Sequence, residues 1–427
     1  MKKYYLETYG CQMNSAESNA LEAILQGAGW TAASSQQEAD LAIINTCSVR
    51  QSAENRIWGR LGSYNPIKKS RKVTLVVTGC MADRLGEDIR KKAPQVDFVV
   101  PVNDKMRILD IVGKSSEDMC ASDRYEFTSS YWKEGEFSSY VPIMNGCNNF
   151  CSYCIVPYVR GREVSRSPEQ IISEIRALDE KGVREITLLG QNVNSYSYEG
   201  MDFPDLLTLI CRNLGNIKWV RFESPHPKDF SDKLIEVIAN EKAVAKHLHI
   251  PMQSGNSRIL QLMNRRYTRE KYLDLIERIK TRIPDITFAV DVMVGFPGET
   301  EEEFEDTLSA MTQAGYIEAY MYYWNPREGT RAVEMPGQLP EKEKQERLQK
   351  LIDFQLDNAA RIKSKRTGNV QDVLVLSVSR DNANQMLGKN EHNEMVAFTP
   401  KTEVKPGSFA QVKFLYLNGN TYVGEQV

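Results

Sequence analysis

Histidine is scarce in this chain, with four among 427 residues, so a metal site built mainly on imidazole has little to draw on. Long apolar runs are missing as well. The longest candidate, 288–296, falls well short of the roughly 18 residues of a membrane span and contains Asp291. The N-terminus has Lys2 and Lys3 but no apolar stretch behind them, which is not the pattern of a secretory signal. A cytoplasmic protein without a membrane segment is therefore expected. Charge of one sign is lacking too: 54 basic and 57 acidic residues leave a net of −3, which excludes a uniformly basic coat for nucleic acid. Glycine and proline, 26 and 17, are too few for a collagen-like or disordered chain.

Cysteine is what the chain does have, with eight residues. Structural disulfides are rare in a reducing compartment, so metal or redox chemistry is the first explanation to weigh. The length corresponds to about three domains, and the residue pattern divides the same way. Over 1–125, apolar runs at 4–9, 41–46, 73–79 and 97–100 alternate with helical patterns at 15–26 and 50–64, as in a parallel α/β sheet of Rossmann-like type. Residues 114–138 are polar and read as a linker. Over 135–365, strands at 140–144, 185–189, 219–223, 247–250, 288–294 and 318–323 are separated by helices, with Ser167-Pro168-Glu169 a good helix start. Six β/α units point to a partial (β/α)6 barrel, although a flat sheet remains open. A charged helix over 340–366 follows. Residues 366–427 lose the helical pattern; runs at 370–378, 394–398 and 410–416 fit a small antiparallel β-barrel. The fold class is α/β.

Cys147, Cys151 and Cys154 form C-x3-C-x2-C just after a predicted strand. Three thiolates can bind three irons of a 4Fe–4S cube and leave the fourth open to a ligand. The alternative is a zinc ion completed by a distant fourth ligand. Cys11, Cys47 and Cys80 are separated by 35 and 32 residues, yet each directly follows a predicted strand. Carboxyl ends of parallel strands share one edge, where ligands bind, so these thiols can form a second site. The alternative is three unrelated buried cysteines. Cys120 and Cys211 read as ordinary residues.

With Tyr153 before its last cysteine, the first cluster resembles the radical S-adenosylmethionine (SAM) signature. The chain as a whole resembles the methylthiotransferases, through Gly146-Cys147-Asn148-Asn149-Phe150-Cys151, the segment 160–166, Pro251-Met252-Gln253-Ser254-Gly255 and Val294-Gly295-Phe296-Pro297-Gly298-Glu299-Thr300. The motif Glu7-Thr8-Tyr9-Gly10-Cys11-Gln12-Met13-Asn14 resembles the MiaB branch. The resemblance implies two 4Fe–4S clusters, SAM as methyl donor and radical source, and transfer of a methylthio group to C2 of an N6-isopentenyladenosine in a tRNA anticodon stem-loop. It also implies a C-terminal TRAM-like RNA-binding barrel and a one-electron donor such as flavodoxin or ferredoxin. A monomer is expected. Other branches, acting on threonylcarbamoyl-adenosine or on a ribosomal protein, and a non-catalytic two-cluster RNA-binding protein are the competing readings.

Polar residues at predicted strand ends are the candidate SAM contacts: Gln191, Asn192, Glu223, Ser224, Gln253, Ser254 and Asp291, with Tyr153 beside the cluster. For RNA, charge placement matters more than total. Residues 49–92 hold 11 basic and 4 acidic residues, a net of +7. Lys68, Lys69, Arg71 and Lys72 are candidates there, and Arg160 and Arg162 after the cluster are expected to contact RNA phosphate or the sulfur-bearing ligand. In the last segment Tyr416 and Phe398 are candidate stacking residues.

Overall fold

The computed structural model describes residues 2–48, 51–113, 127, 132–133, 135–380 and 382–427. Cys120 and most of the expected linker lie outside them.

Five parallel strands open the chain: β1 (Lys3–Thr8), β2 (Thr31–Ala32), β3 (Leu41–Thr46), β4 (Thr74–Gly79) and β5 (Phe98–Val100), in the order β2-β1-β3-β4-β5. The crossovers contain α1 (Gln12–Gly27), α2 (Gln51–Gly62), α3 (Tyr64–Ser70), α4 (Cys80–Leu85) and α5 (Asp88–Lys92), and α6 (Arg107–Ile111) closes the unit. All six residues of β3 are buried, as a central parallel strand covered on both faces requires.

Six more parallel strands follow in sequence order. β6 (Ser138–Pro142), β9 (Glu185–Leu189) and β12 (Trp219–Phe222) form one sheet; β13 (His247–His249), β14 (Thr287–Val294) and β15 (Glu318–Tyr323) form the next. A single parallel bridge, Val220 to Val244, joins them. The result is a partial barrel with an open seam between β6 and β15. The short ribbons β7 (Met144–Asn145) with β8 (Val164–Ser165) and β10 (Ser197–Tyr198) with β11 (Met201–Asp202) lie outside it. Helices α7 (Val156–Val159), α8 (Pro168–Glu180), α9 (Phe203–Cys211), α10 (Asp232–Asn240), α11 (Ser257–Leu262), α12 (Arg269–Arg282) and α13 (Glu301–Ala314) alternate with the strands. Ser167 caps α8 ahead of Pro168, and Thr300 with Glu303 makes a capping box on α13.

After α14 (Glu341–Ser364), five strands close a small barrel: β16 (Val370–Val378), β17 (Met386–Asn390), β18 (Met395–Thr399), β19 (Phe409–Asn418) and β20 (Thr421–Gln426). Its pairs are antiparallel except β18 with β20, which is parallel. This barrel packs under the amino ends of the partial barrel's strands. Arg221 donates to the carbonyls of Asn390 (3.0 Å) and Glu391 (2.7 Å), and its Nε reaches Glu185 at 2.8 Å. Lys389 also pairs with Glu185, and His392 Nδ1 lies 3.2 Å from Thr287 Oγ1. Trp219 meets Phe409 edge to face at 5.0 Å.

Candidate active site between two thiol triads

The three distant cysteines of the N-terminal sheet lie along one edge of it, after neighbouring strands. Cys11, Cys47 and Cys80 follow β1, β3 and β4, and two glycines let their loops close on one another. Gly10 has φ +129°, and a Cβ there would sit 3.1 Å from Cys47 Sγ. Gly79 has φ +92°, and its Cβ would sit 2.4 Å from the Thr46 carbonyl. Buried Asn14 ties the loops together: its Nδ2 donates to the carbonyls of Tyr9 (3.1 Å) and Thr46 (2.7 Å), and its Oδ1 accepts from the Cys11 thiol (3.4 Å). Asn45 returns a bond to the Asn14 carbonyl at 2.9 Å. Cys47 and Cys80 are buried and Cys11 is exposed. Burial pushes the Cys80 thiol up to about 12, with Cys11 and Cys47 adding to the rise and Arg160 opposing it.

The second triad is equally constrained. Gly146 has φ +84° and touches the Arg162 carbonyl so closely that any side chain would collide. Its N–H donates to Gln191 Oε1 (2.6 Å), while the Cys147 N–H donates to the Gly161 carbonyl (3.1 Å). Asn264 holds the Phe150 carbonyl (2.9 Å), and Phe150 adopts φ +48°. Arg265 Nη1 reaches Cys151 Sγ at 3.5 Å. Burial pushes Cys147 up to about 11 and raises Cys154 well above the ordinary thiol value.

Among the described residues, no three Cys, His, Asp or Glu side chains converge as ligands of a single ion. A cube takes one thiolate on each of three irons, so its thiolates need not meet at a point. Buried thiols disfavour the thiolate unless a metal cation compensates it. Both donor sets thus suit a cationic iron–sulfur group.

The candidate SAM contacts divide into four pairs. Asn192 and Ser254 are buried and spent internally: Asn192 Nδ2 donates to Asp229 at 2.9 Å, and Ser254 Oγ accepts from the Asn256 N–H at 3.2 Å. Gln191 braces the cysteine loop, and Tyr153 packs against the cluster around Phe296 and Trp324. Glu223 and Asp291 flank His249, at 2.8 Å from its Nδ1 and Nε2 respectively. Burial lowers the His249 pKa, but the adjacent carboxylates of Asp291 and Glu223 outweigh it and raise it to about 10. Ser224 and Gln253 stand at φ +61° and +69°, strained for residues with side chains and concentrated at the same barrel mouth. The sequence offered no sign of His249's role, beyond its place two residues after His247 on one strand face.

The arginines after the cluster part ways. Arg160 is buried: Nη1 and Nη2 bond Glu17 of α1 at 2.7 and 3.2 Å, and Nη1 also reaches Asn145 at 3.0 Å. It joins the barrel to the N-terminal domain and lies on the side of the Cys11 loop, the second of the two contacts expected of it, rather than facing solvent. Arg162 is exposed, its guanidinium 4.5 Å above the Phe150 ring, and Phe150 meets the exposed Tyr158 edge on at 5.8 Å. In the basic segment, Lys68 pairs with Asp97 and Arg71 with Asp40, whereas Lys69 and Lys72 are exposed. Lys69, Lys92 and Trp58 line a groove of about 690 Å³. Phe398 is buried in the C-terminal barrel core, and Tyr416 is 54% exposed.

Two family profiles match: the radical SAM superfamily over residues 141–311 and uncharacterized protein family UPF0004 over residues 3–101. A protein of Treponema denticola named tRNA-2-methylthio-N(6)-dimethylallyladenosine synthase is 46% identical, over 98% of each chain. Proteins of that name from Bacteroides fragilis (41%, 100% of this chain and 96% of theirs) and Fusobacterium nucleatum (40%, 100% of both) are also similar. Among solved structures, the radical SAM methyltransferase TsrM of Kitasatospora setae with cobalamin and a [4Fe-4S] cluster aligns at TM-score 0.57 and 14% identity, over 78% of this chain and 77% of its own. That likeness concerns the fold.

Proposed function

The chain belongs to the family of tRNA-2-methylthio-N(6)-dimethylallyladenosine synthases, and from that premise we propose that it transfers a methylthio group to C2 of N6-isopentenyladenosine beside the tRNA anticodon (isopentenyl and dimethylallyl name the same substituent). It is a radical SAM transferase that uses SAM and 4Fe–4S clusters. Residues 1–125 would hold the auxiliary cluster, 135–365 the radical chemistry, and 366–427 the TRAM-like RNA-binding function. The observation that carries the reading is that two three-cysteine sets lie beyond the carboxyl ends of strands in two parallel sheets, and that Arg160, past the helix after the second set, pairs with Glu17 on the helix after Cys11.

The aromatic C2–H has no acidity or leaving group for polar chemistry. The group held by Cys147, Cys151 and Cys154, with SAM on its open iron, would supply a 5′-deoxyadenosyl radical. The chain's own residues orient and shield that chemistry. Gln191 and Asn264 fix the cysteine loop, Arg265 compensates charge at Cys151, and Glu223, Asp291, Ser224 and Gln253 offer polar groups at the barrel mouth. Cys11, Cys47 and Cys80 would hold the sulfur-bearing cluster. Arg162, stacked on Phe150 beside Tyr158, offers a platform for a base and its phosphate, and Lys69 and Lys72 a track for backbone. We place the enzyme in the cytoplasm as a monomer, served by a flavodoxin- or ferredoxin-like donor. Among the described residues no helix is long and apolar enough to cross a membrane.

Anaerobically reconstituted enzyme, assayed with SAM and a reductant, is expected to methylthiolate isopentenylated tRNA and to leave unmodified tRNA unchanged, as read by nucleoside mass spectrometry. Activity confined to a ribosomal protein would overturn the substrate assignment. Absence of 5′-deoxyadenosine would overturn the radical mechanism.

A further inference from the structure

The partial barrel lends charge to a site that it does not contain. Arg160 lies past the end of α7, and its side chain is 3% exposed. Beyond its two bonds to Glu17, its Nη2 lies 3.4 Å from Asn14 Oδ1, the same oxygen that accepts the Cys11 thiol at 3.4 Å. A thiol that becomes a metal-bound thiolate gives up that donated hydrogen bond and leaves negative charge beside the guanidinium. Helix α4, which begins at Cys80, packs on α7, and the Cys80 thiol lies within the electrostatic reach of the same arginine. On the far side, Arg327 follows β15 and is 7% exposed; with Glu54 and Arg84 it lines a cleft of about 290 Å³. Cys47 lies within its electrostatic reach. Charges in so dry a place act over several ångströms with little screening.

We infer that the N-terminal thiol site is built by both sheets, with Arg160 as the positioning residue that raises the reduction potential of a cluster held by Cys11, Cys47 and Cys80, and Glu17 as its counterweight. The inference rests on the two-cluster reading above. An added electron makes the bound group more negative, and a fixed cation beside it stabilises that state more than the oxidised one. Glu17 orients the guanidinium and cancels part of its field. Because Arg160 belongs to the barrel, the potential follows how the two sheets are docked.

The test uses the full chain with Cys147, Cys151 and Cys154 replaced by Ala, so that one cluster remains, followed by redox titration with electron paramagnetic resonance detection. This background is expected to hold about four irons. Arg160→Met in it should keep the iron and lower the reduced-to-oxidised ratio at fixed poise about tenfold, which is about 59 mV for a one-electron couple. Arg160→Lys should stay near the background value, and Glu17→Gln should shift the potential upward. Retained iron with an unmoved potential in Arg160→Met overturns the inference, as do shifts of one sign in all three variants, the mark of a merely structural role. Should Arg160→Met shed its iron, Glu17→Gln decides, and no upward shift there overturns it. A background without iron overturns the two-cluster reading itself.

Discussion

Gly79 shows how tightly single residues bind the N-terminal site together. Its left-handed backbone and its approach to Thr46 both forbid a side chain. Gly79→Ala is expected to displace Cys80 from its partners and to reduce iron content from about eight to about four per chain, by loss of one cube. The barrel's SAM cleavage should persist, which a 5′-deoxyadenosine assay checks. His249 offers a second expectation. Its folded pKa, about 10, lies above the ordinary imidazole value. The stability it contributes is therefore full below about pH 6.5 and is lost as pH rises through about 10. NMR should find the ring charged at pH 8, and His249→Gln should flatten the decline in stability over that alkaline window. At this scale the cysteines were legible because their chemistry is carried by spacing and by strand ends. His249 was not, since its partners come from elsewhere in the chain, Glu223 from just past β12 and Asp291 from β14. For Arg160 its neighbours in sequence left RNA phosphate and the sulfur-bearing ligand both open, and only the docking of α1 shows that it pairs with Glu17.

Elements were read well wherever period and caps agreed. The helix between the strands expected at 288–294 and 318–323 starts at Glu301 with Thr300 as its cap, and the charged helix expected over 340–366 spans Glu341–Ser364. Thr300→Ala should cost about 1 kcal/mol through the lost cap, measurable as a lower denaturation midpoint with the transition slope unchanged. The strands β17 and β20 escaped notice for a physical reason. Each contains a glycine, Gly388 or Gly424, which reads as a turn signal but serves close backbone packing: a Cβ there would lie 2.4 Å from the Leu374 carbonyl or 2.5 Å from that of Lys413. The choice between barrel and flat sheet was also beyond pattern alone. It is decided by strand order and by lumen groups such as Glu223, His249 and Asp291 that meet across strands.

For the whole molecule, net charge hid a segregation that the fold gives shape. Trp58, Lys69 and Lys92 share one groove, with Lys92 5.6 Å from the Trp58 ring. Replacing Lys69 and Lys92 together with Glu should weaken tRNA binding and reduce the slope of log affinity against log salt by about 1–2, as fluorescence anisotropy across a salt series would show. SAM cleavage without RNA should be unaffected. How the three sheets dock was not legible in sequence, because each interface joins residues far apart along the chain. Arg221 and the carbonyl of Asn390, for example, are separated by 169 positions. That contact has a consequence for biosynthesis. The chain emerges from the ribosome in order, and the partners of Arg221, Glu185 and Lys246 on the C-terminal barrel come last. Until they arrive, Arg221 and Glu185 have each other but lack Lys389 and the carbonyls of Asn390 and Glu391, and long-range closure of this kind is slow. The final strands thus act as the seal on a vessel assembled from the other end, and a nascent chain stopped short of them leaves that vessel open to water and to misfolding.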